Sequence, residues 1–216
     1  ISEIFSKLLL LRKVDENNYD TFLNTDILLN TPNPFELKDM DKATIRCIEA
    51  IKNNEKIGII ADYDVDGSTS LSILFRFLKN FTPNIIYKIP NRLSEGYGPN
   101  LRLMNEMLNQ NIKLLFILDC GTSAFNVIDH QDYKKIDVIV IDHHLSEFKL
   151  PKVHSIINPN RYDEKNKYTN FAAVGVTFLF LMALRRKLRE LEVFSEIPEP
   201  NLMSYLDLVA VGTICD

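Results

Sequence analysis

Three short apolar runs, each closed by acidic residues, restrict this chain more than any other feature. Ile57-Gly58-Ile59-Ile60-Ala61 leads into Asp62, Asp64 and Asp66, and Leu114-Leu115-Phe116-Ile117-Leu118 leads into Asp119. Ile136-Asp137-Val138-Ile139-Val140-Ile141 leads into Asp142-His143-His144. Near-continuous Val/Ile/Leu runs of this length read as strands buried on both faces, the pattern of a parallel sheet. In an open parallel sheet, ligands bind in the crevice beyond the carboxyl ends of the strands. Carboxylates and imidazoles gathered there predict a metal-dependent active site.

The segments between these runs carry helical spacing. One pattern starts at Asp41 (Ile45, Ile48, Ile51) and another at Ser68 (Leu71, Leu74, Phe75, Leu78). Residues 85–89 read as a strand, 100–108 as a helix, 124–130 as a helix and 155–157 as a further strand. Helices over 171–191 and 201–211 follow, separated by Pro198-Glu199-Pro200. This alternation predicts an α/β fold, a parallel β-sheet flanked by helices, with extra C-terminal helices. Residues 1–40, with turns at Asn17-Asn18 and Thr31-Pro32-Asn33-Pro34, read as an N-terminal arm whose apolar spots, Leu8–Leu11 and Ile27–Leu29, pack on the core. Residues 41–216 read as the domain. The chain starts at Ile1 and stops on Asp216 directly after an apolar segment, so it is expected to be a fragment of a longer protein.

Bulk numbers exclude several classes. At 46% hydrophobic content a real core is expected. A net charge of −4 and a pI near 5.6 argue against a general basic field for nucleic acid, although bound divalent cations reverse the sign locally. Three cysteines cannot pair completely, which suits a reducing compartment and makes the cytoplasm the expected location. No uninterrupted apolar stretch reaches the roughly 18 residues that a spanning helix needs.

Asp62, Asp64 and Asp66 stand at alternate positions, and in extended backbone alternate side chains share a face. Three carboxylates on one face repel unless cations sit among them. Aspartates at alternate positions with a glycine also begin a calcium loop, but that loop needs a preceding helix and a glutamate at its end, whereas here a buried strand leads in. Asp119 precedes Gly121, a turn glycine, and Thr122, a cap for the next helix. With two oxygens to share, Asp119 is the candidate to bridge two ions. His143 and His144 offer imidazole nitrogen, with Asp142 placed behind them to orient one ring. His130 and His154 lack such a setting and read as surface residues, and Cys120 and Cys215 as small buried ones. The basic run Arg185, Arg186, Lys187 and Arg189 is interleaved with Glu190 and Glu192 and reads as a solvated helix face.

Asp-His-His after a strand, the earlier Asp-x-Asp-x-Asp-Gly and the middle Asp-Cys-Gly-Thr together resemble the motifs of the DHH phosphoesterase superfamily. Within it, Pro90–Gly98, Ile157–Asn160 and Leu208–Asp216 resemble the RecJ-type single-strand-specific exonucleases, and the likeness runs from about residue 40 to the last residue. The resemblance implies that Asp64, Asp66, Asp119, His143 and Asp216 hold two divalent ions, Mn²⁺ or Mg²⁺, with Asp119 bridging. Asp62 and Asp142 would support these ligands, and His144, beside Asp119 the catalytic candidate, would face the phosphate. Oxygen and imidazole donors without thiolate agree with those metals. The chain departs from the family at Ile60, where relatives often carry a histidine, and Asp62 is the residue able to compensate. Arg92 is the candidate phosphate grip, with Gly96 and Gly98 allowing close backbone approach.

The implied reaction is two-metal phosphodiester hydrolysis, removing nucleotides from the 5′ end of single-stranded DNA in repair and recombination. Single-strand-binding protein and a helicase are the implied partners. Two rivals remain from the same residues. One is a DHH enzyme acting on cyclic dinucleotides or short oligonucleotides, and the other a non-catalytic DHH-like scaffold of a replication complex.

Overall fold

The computed structural model describes residues 2–24, 26–130, 134–165 and 168–216, and only the backbone of Thr21, Leu28 and Leu29. Two compact units divide at 33/34. The first holds α1 (Glu3–Leu11), α2 (Tyr19–Leu23) and α3 (Ile27–Asn30). Ser2 caps α1 by accepting from Phe5 N–H at 3.3 Å. Of Leu8–Leu11 only Leu9 is buried, since four consecutive helical residues cannot share one face. The expected packing of Leu28 and Leu29 lies outside the described residues.

The second unit carries the sheet: β1 (Ile57–Ala61), β2 (Ile85–Lys88), β3 (Leu114–Leu118), β4 (Asp137–Ile141) and β5 (Ser155–Ile157). All neighbours are parallel, in the order β2-β1-β3-β4-β5. Leaving β1, the chain steps outward to β2, then crosses back over β1 to β3. This reversal opens a crevice beyond the carboxyl ends of β1 and β3, where neighbouring crossovers lie on opposite faces.

The strands are buried on both faces because both are covered. Ile57, Ile59, Ala61, Phe116, Leu118, Ile139 and Ile141 share a core with α4 (Met40–Lys52), α5 (Val65–Leu78) and α8 (Ala173–Glu190). Ile60, Leu115, Ile117, Val138 and Val140 face the other layer, with Leu103, Met104 and Met107 of α6 (Leu101–Asn109) and Ile128 of α7 (Phe125–Ile128). Ile60 is thus a full member of the α6-side core. A last helix, α9 (Leu206–Cys215), packs on α5 and α8.

Several sequence expectations shift. Leu37 and Met40 lie in the main core, and residues 34–40 fall in the unit that carries the sheet. In α4 Ile48 is buried with Met40, Ala43, Cys47 and Ala50 and Ile51 is half-buried against the same core, as expected, while Ile45 is exposed. The helix expected from Ser68 starts at Val65, because Asp64 accepts from Gly67 N–H at 2.8 Å and caps it. Cys120 is buried as expected, but Cys215, near the end of α9, is exposed. The basic face of α8 is neutralised locally: Lys187 pairs with Asp41 at 2.7 Å, Arg186 with Glu190, and Arg185 and Arg189 with Glu199. No helix among the described residues is long and apolar enough to cross a membrane.

At the amino ends of the strands, Arg46 of α4 donates to Glu55 at 2.6 Å and to Asp137 at 2.7 Å. Asp137 opens β4, so this arginine ties helix to sheet at the end opposite the crevice.

Candidate metal centre

The early start of α5 decides how the first three carboxylates are used. Asp62 continues the line of β1, Asp64 is the cap, and Asp66 sits in the first helical turn, so they do not share the one extended face expected of alternate positions. Gly67 makes the bend possible: a Cβ there would lie 2.5 Å from the carbonyl oxygen of Asp62. The carboxylates therefore point to two groups. Asp62 and Asp64 converge on Asp119, whereas Asp66 joins His143 and Asp216.

Asp119 and His143 connect the groups. His143 Nε2 lies 3.3 Å from Asp119 Oδ1, 3.7 Å from Asp66 Oδ2 and 3.6 Å from Asp216 Oδ1. Asp119 adopts left-handed backbone (φ 59°), a conformation an aspartate tolerates and one often found where a fold aims a functional side chain. Its N–H donates to Ile141 O at 2.9 Å, and its carbonyl accepts from the Tyr97 hydroxyl at 2.8 Å. Asp216 arrives on α9, which approaches so closely that a Cβ at Gly212 would lie 2.4 Å from Thr69 Oγ1 and 2.7 Å from Val174 Cγ1.

Asp66 has a second task. The residue before α8, Ala172, offers no side-chain cap, and the two Asp66 oxygens accept from Ala173 N–H (2.6 Å) and Val174 N–H (2.7 Å) instead. A carboxylate against a helix N-terminus is favoured by the exposed amides and the helix dipole. Each oxygen keeps a further lone pair for a cation.

Within the folded chain the centre is electrostatically incomplete. Both oxygens of Asp119, Oδ2 of Asp62 and Nε2 of His143 are buried without a hydrogen-bond partner. Burial, reinforced by Asp66 and Asp64, pushes the Asp119 carboxyl up to about 10, and burial likewise raises Asp62 and Asp66. Native proteins rarely leave buried polar atoms unpaired. Oxygen and imidazole donors converging from three strand ends fit hard or borderline divalent cations.

Asp142 is buried and fully engaged: Oδ2 accepts from Thr122 N–H at 3.0 Å, while Oδ1 accepts from His143 N–H at 2.8 Å and lies 2.7 Å from His144 Nδ1. Burial works against its charge, but His144 and Thr122 hold its carboxyl below the usual range, and its carboxylate raises the His144 imidazole. Thr122 is therefore a strut under Asp142 rather than the expected helix cap. Two asparagines after β5 fix the imidazole loop from below. Asn158 Nδ2 donates to His144 O and Thr122 Oγ1, both at 2.9 Å, and Asn160 Nδ2 donates to His143 O at 2.6 Å.

Beside the centre lies a cleft of about 390 Å³ lined by Tyr97, Gly98, Gly121, Asp142 and His144 among others. Gly98 N–H donates to Asp62 Oδ1 at 3.1 Å, so that amide is already used, while Gly96 faces open space with φ 77°. Arg92 lies outside the ligand groups, its guanidinium 5.3 Å from the centroid of the Tyr63 ring. Sequence reasoning missed Tyr97, Asn158 and Asn160 as individual site residues. Their partners are main-chain carbonyls from other strand ends, which leave no mark in sequence.

A family model described as the DHH family, N-terminal domain, matches residues 56–213. Among curated proteins, the chain is 37% identical over 186 residues to the single-stranded-DNA-specific exonuclease RecJ of Haemophilus influenzae, covering 85% of this chain and 32% of that protein. To the RecJ of Bacillus subtilis it is 32% identical, covering 93% of this chain and 25% of the relative. The chain thus spans about a third or less of the length of these relatives. Among solved structures, an exonuclease RecJ bound to manganese superposes with TM-score 0.70 at 31% identity, over 82% of this chain and 43% of that one. RecJ of Thermus thermophilus in complex with Mn²⁺ gives 0.65 at 30% identity, over 82% and 24%. With all five strands, the crevice and the Asp-His-His strand end inside the matched segment, the chain belongs to the DHH family.

Proposed function

We propose that this chain is the catalytic core of a two-metal phosphodiesterase that removes nucleotides from the 5′ end of single-stranded DNA. The observation that carries the reading is the set of buried, unpaired donor atoms on Asp62, Asp119 and His143 at three adjacent strand ends. In this reading Asp64, Asp66, Asp119, His143 and Asp216 would hold two divalent ions, Mn²⁺ or Mg²⁺. The metal-bound RecJ structures and the relatives' names support that choice. When bound, the ions supply Lewis acidity and charge neutralisation for hydrolysis of a phosphodiester.

The side chains around the ions divide the remaining tasks. Asp142, fixed by Thr122, holds His144 Nδ1 and favours the protonated ring, so His144 can donate a hydrogen bond or a proton to phosphate oxygen. Asp62 anchors the Gly98 amide and so the loop that walls the cleft. Arg92 offers a fork of N–H donors to a phosphate. The three free cysteines suit a reducing compartment such as the cytoplasm; action in repair and recombination, with a single-strand-binding protein and a helicase as partners, belongs to the proposal through the family likeness alone.

The test is hydrolysis, with and without Mn²⁺, of a 5′-labelled single strand, the matching duplex and a cyclic dinucleotide. Metal-dependent release of 5′ mononucleotides from the single strand alone, absent in Asp119→Ala, is the expected result. Turnover of only the cyclic dinucleotide would move the chain to a small-substrate activity, and metal binding without hydrolysis of any of them would make it a scaffold.

A further inference from the structure

The loop after β2 carries a guanidinium restrained at both ends. Residues 91–95 close on themselves: Asn91 Oδ1 accepts from Leu93 N–H (2.9 Å) and Ser94 N–H (3.1 Å), and Asn91 N–H donates to Glu95 Oε2 at 2.7 Å. Glu95 is clamped in turn by Arg102 of α6, through Nε and through Nη2 at 2.7 Å. That pairing consumes the charge of Arg102 and fixes the turn from which Arg92 projects. The far end of Arg92 rests on the ring of Tyr63, the residue between Asp62 and Asp64.

This seating is informative because of what surrounds it. Tyr63 is flanked in sequence by carboxylates, one of them with a buried unpaired oxygen. An arginine free to choose gains most by folding onto such a group. Among the described residues, however, Arg92 has no ion pair. An aromatic face attracts a guanidinium without using any of its five N–H donors. The ring therefore holds the charge at the rim of the crevice with its donors available.

We propose that Tyr63 is a positioning residue, whose ring seats Arg92 for a phosphate of the incoming strand and keeps the guanidinium off the Asp62 and Asp64 carboxylates. This rests on the phosphodiesterase reading of the centre. Three consequences follow. Removing the ring weakens strand capture while leaving the chemical step intact, a phenylalanine replaces it, and the effect requires Arg92.

The experiment is a double-mutant cycle with Tyr63→Leu, Tyr63→Phe, Arg92→Ala and the Tyr63→Leu/Arg92→Ala pair. KM and kcat for a 5′-phosphorylated oligothymidylate are read with Mn²⁺. Anisotropy gives equilibrium binding of the same strand without turnover, and calorimetry gives Mn²⁺ affinity. Tyr63→Leu is expected to raise KM and Kd about fivefold with kcat and Mn²⁺ affinity retained, and Tyr63→Phe to restore both. Arg92→Ala is expected to cost more than tenfold, with no further loss when Tyr63→Leu is added. Equal costs of Tyr63→Leu in both backgrounds, phenylalanine as harmful as leucine, or reduced Mn²⁺ affinity would each overturn the proposal. A wild-type chain that binds the strand but never cuts it would remove the hydrolytic reading and leave the binding cycle to judge the pair. One that neither binds nor cuts would remove both.

Discussion

The two ends of this one sheet treat buried charge in opposite ways. At the amino ends, Arg46 is enclosed and keeps Nη1 unpaired, but its charge is answered by two carboxylates, Glu55 and Asp137, at 2.6 and 2.7 Å. At the carboxyl ends, Asp62, Asp66 and Asp119 are equally enclosed, and Oδ2 of Asp62 and both oxygens of Asp119 lack a hydrogen-bond partner, with only the His143 imidazole 3.3 Å from Asp119 Oδ1 beside them. The same strands, in the same register, support both arrangements. A parallel sheet covered on both faces can therefore stabilise one rim and hold the other in readiness for cations, since each loop is free to differ while the strands are not.

The sharpest way to break this contrast is Asp119→Asn. Loss of this ligand is expected to lower metal-dependent hydrolysis about a thousandfold. In chelator the same variant should unfold at a higher temperature than the parent, because an uncompensated buried carboxyl has been neutralised. A lower melting temperature in chelator would show that Asp119 is already compensated and would collapse the comparison.

Next in size is Asp142→Ala, which removes the support of His144 and is expected to cost about 10- to 100-fold in kcat. Because Asp142 raises the His144 imidazole, a group that acts protonated should also fail at lower pH. The alkaline limb of the kcat profile is thus expected to shift downward in the conservative Asp142→Asn.

At the opposite rim, Arg46→Ala leaves Glu55 and Asp137 facing each other without a cation. A loss of about 2 kcal/mol in denaturant unfolding is expected, with kcat per folded molecule unchanged. The figure lies below that for a fully enclosed pair because half of the Asp137 side chain is exposed.

Smallest per pH unit, though it accumulates over the range, is the pH response of the metal-free chain. Asp119 titrates near 10 when folded against 3.8 in its reference state, so between those values the folded chain binds more protons. Its contribution to stability therefore falls as pH rises through that window, by at most about 1.4 kcal/mol per pH unit. Saturating Mn²⁺ is expected to flatten the slope, and thermal melts from pH 5 to about pH 8 would read it.

What could be read from the sequence divides along the same line. The strands β1, β3 and β4 were legible because short apolar runs ending in acids have few other uses. Their order was not, since no segment of sequence encodes on which side of β1 its successors pair. The Asp62–Asp66 motif was legible as a carboxylate cluster but not as two groups, because a capping aspartate and an extended one look alike until the helix start is known. Ile45 is exposed although Ile48 of the same pattern is buried, because an apolar side chain alone does not fix which side of a helix meets the core. Tyr97 carries no individual signal in the sequence, because its hydroxyl donates to the main chain of Asp119, 22 positions on.

Asp66 binds the start of α8 across 107 residues of chain, and this has a temporal consequence. As the polypeptide leaves the ribosome, the first carboxylates are exposed to the cell long before the amides that fix Asp66 have been made. The geometry of the centre needs α8, whose amides hold Asp66, and α9, which brings Asp216, so a chain that stops before them carries the first acids of the centre without that geometry.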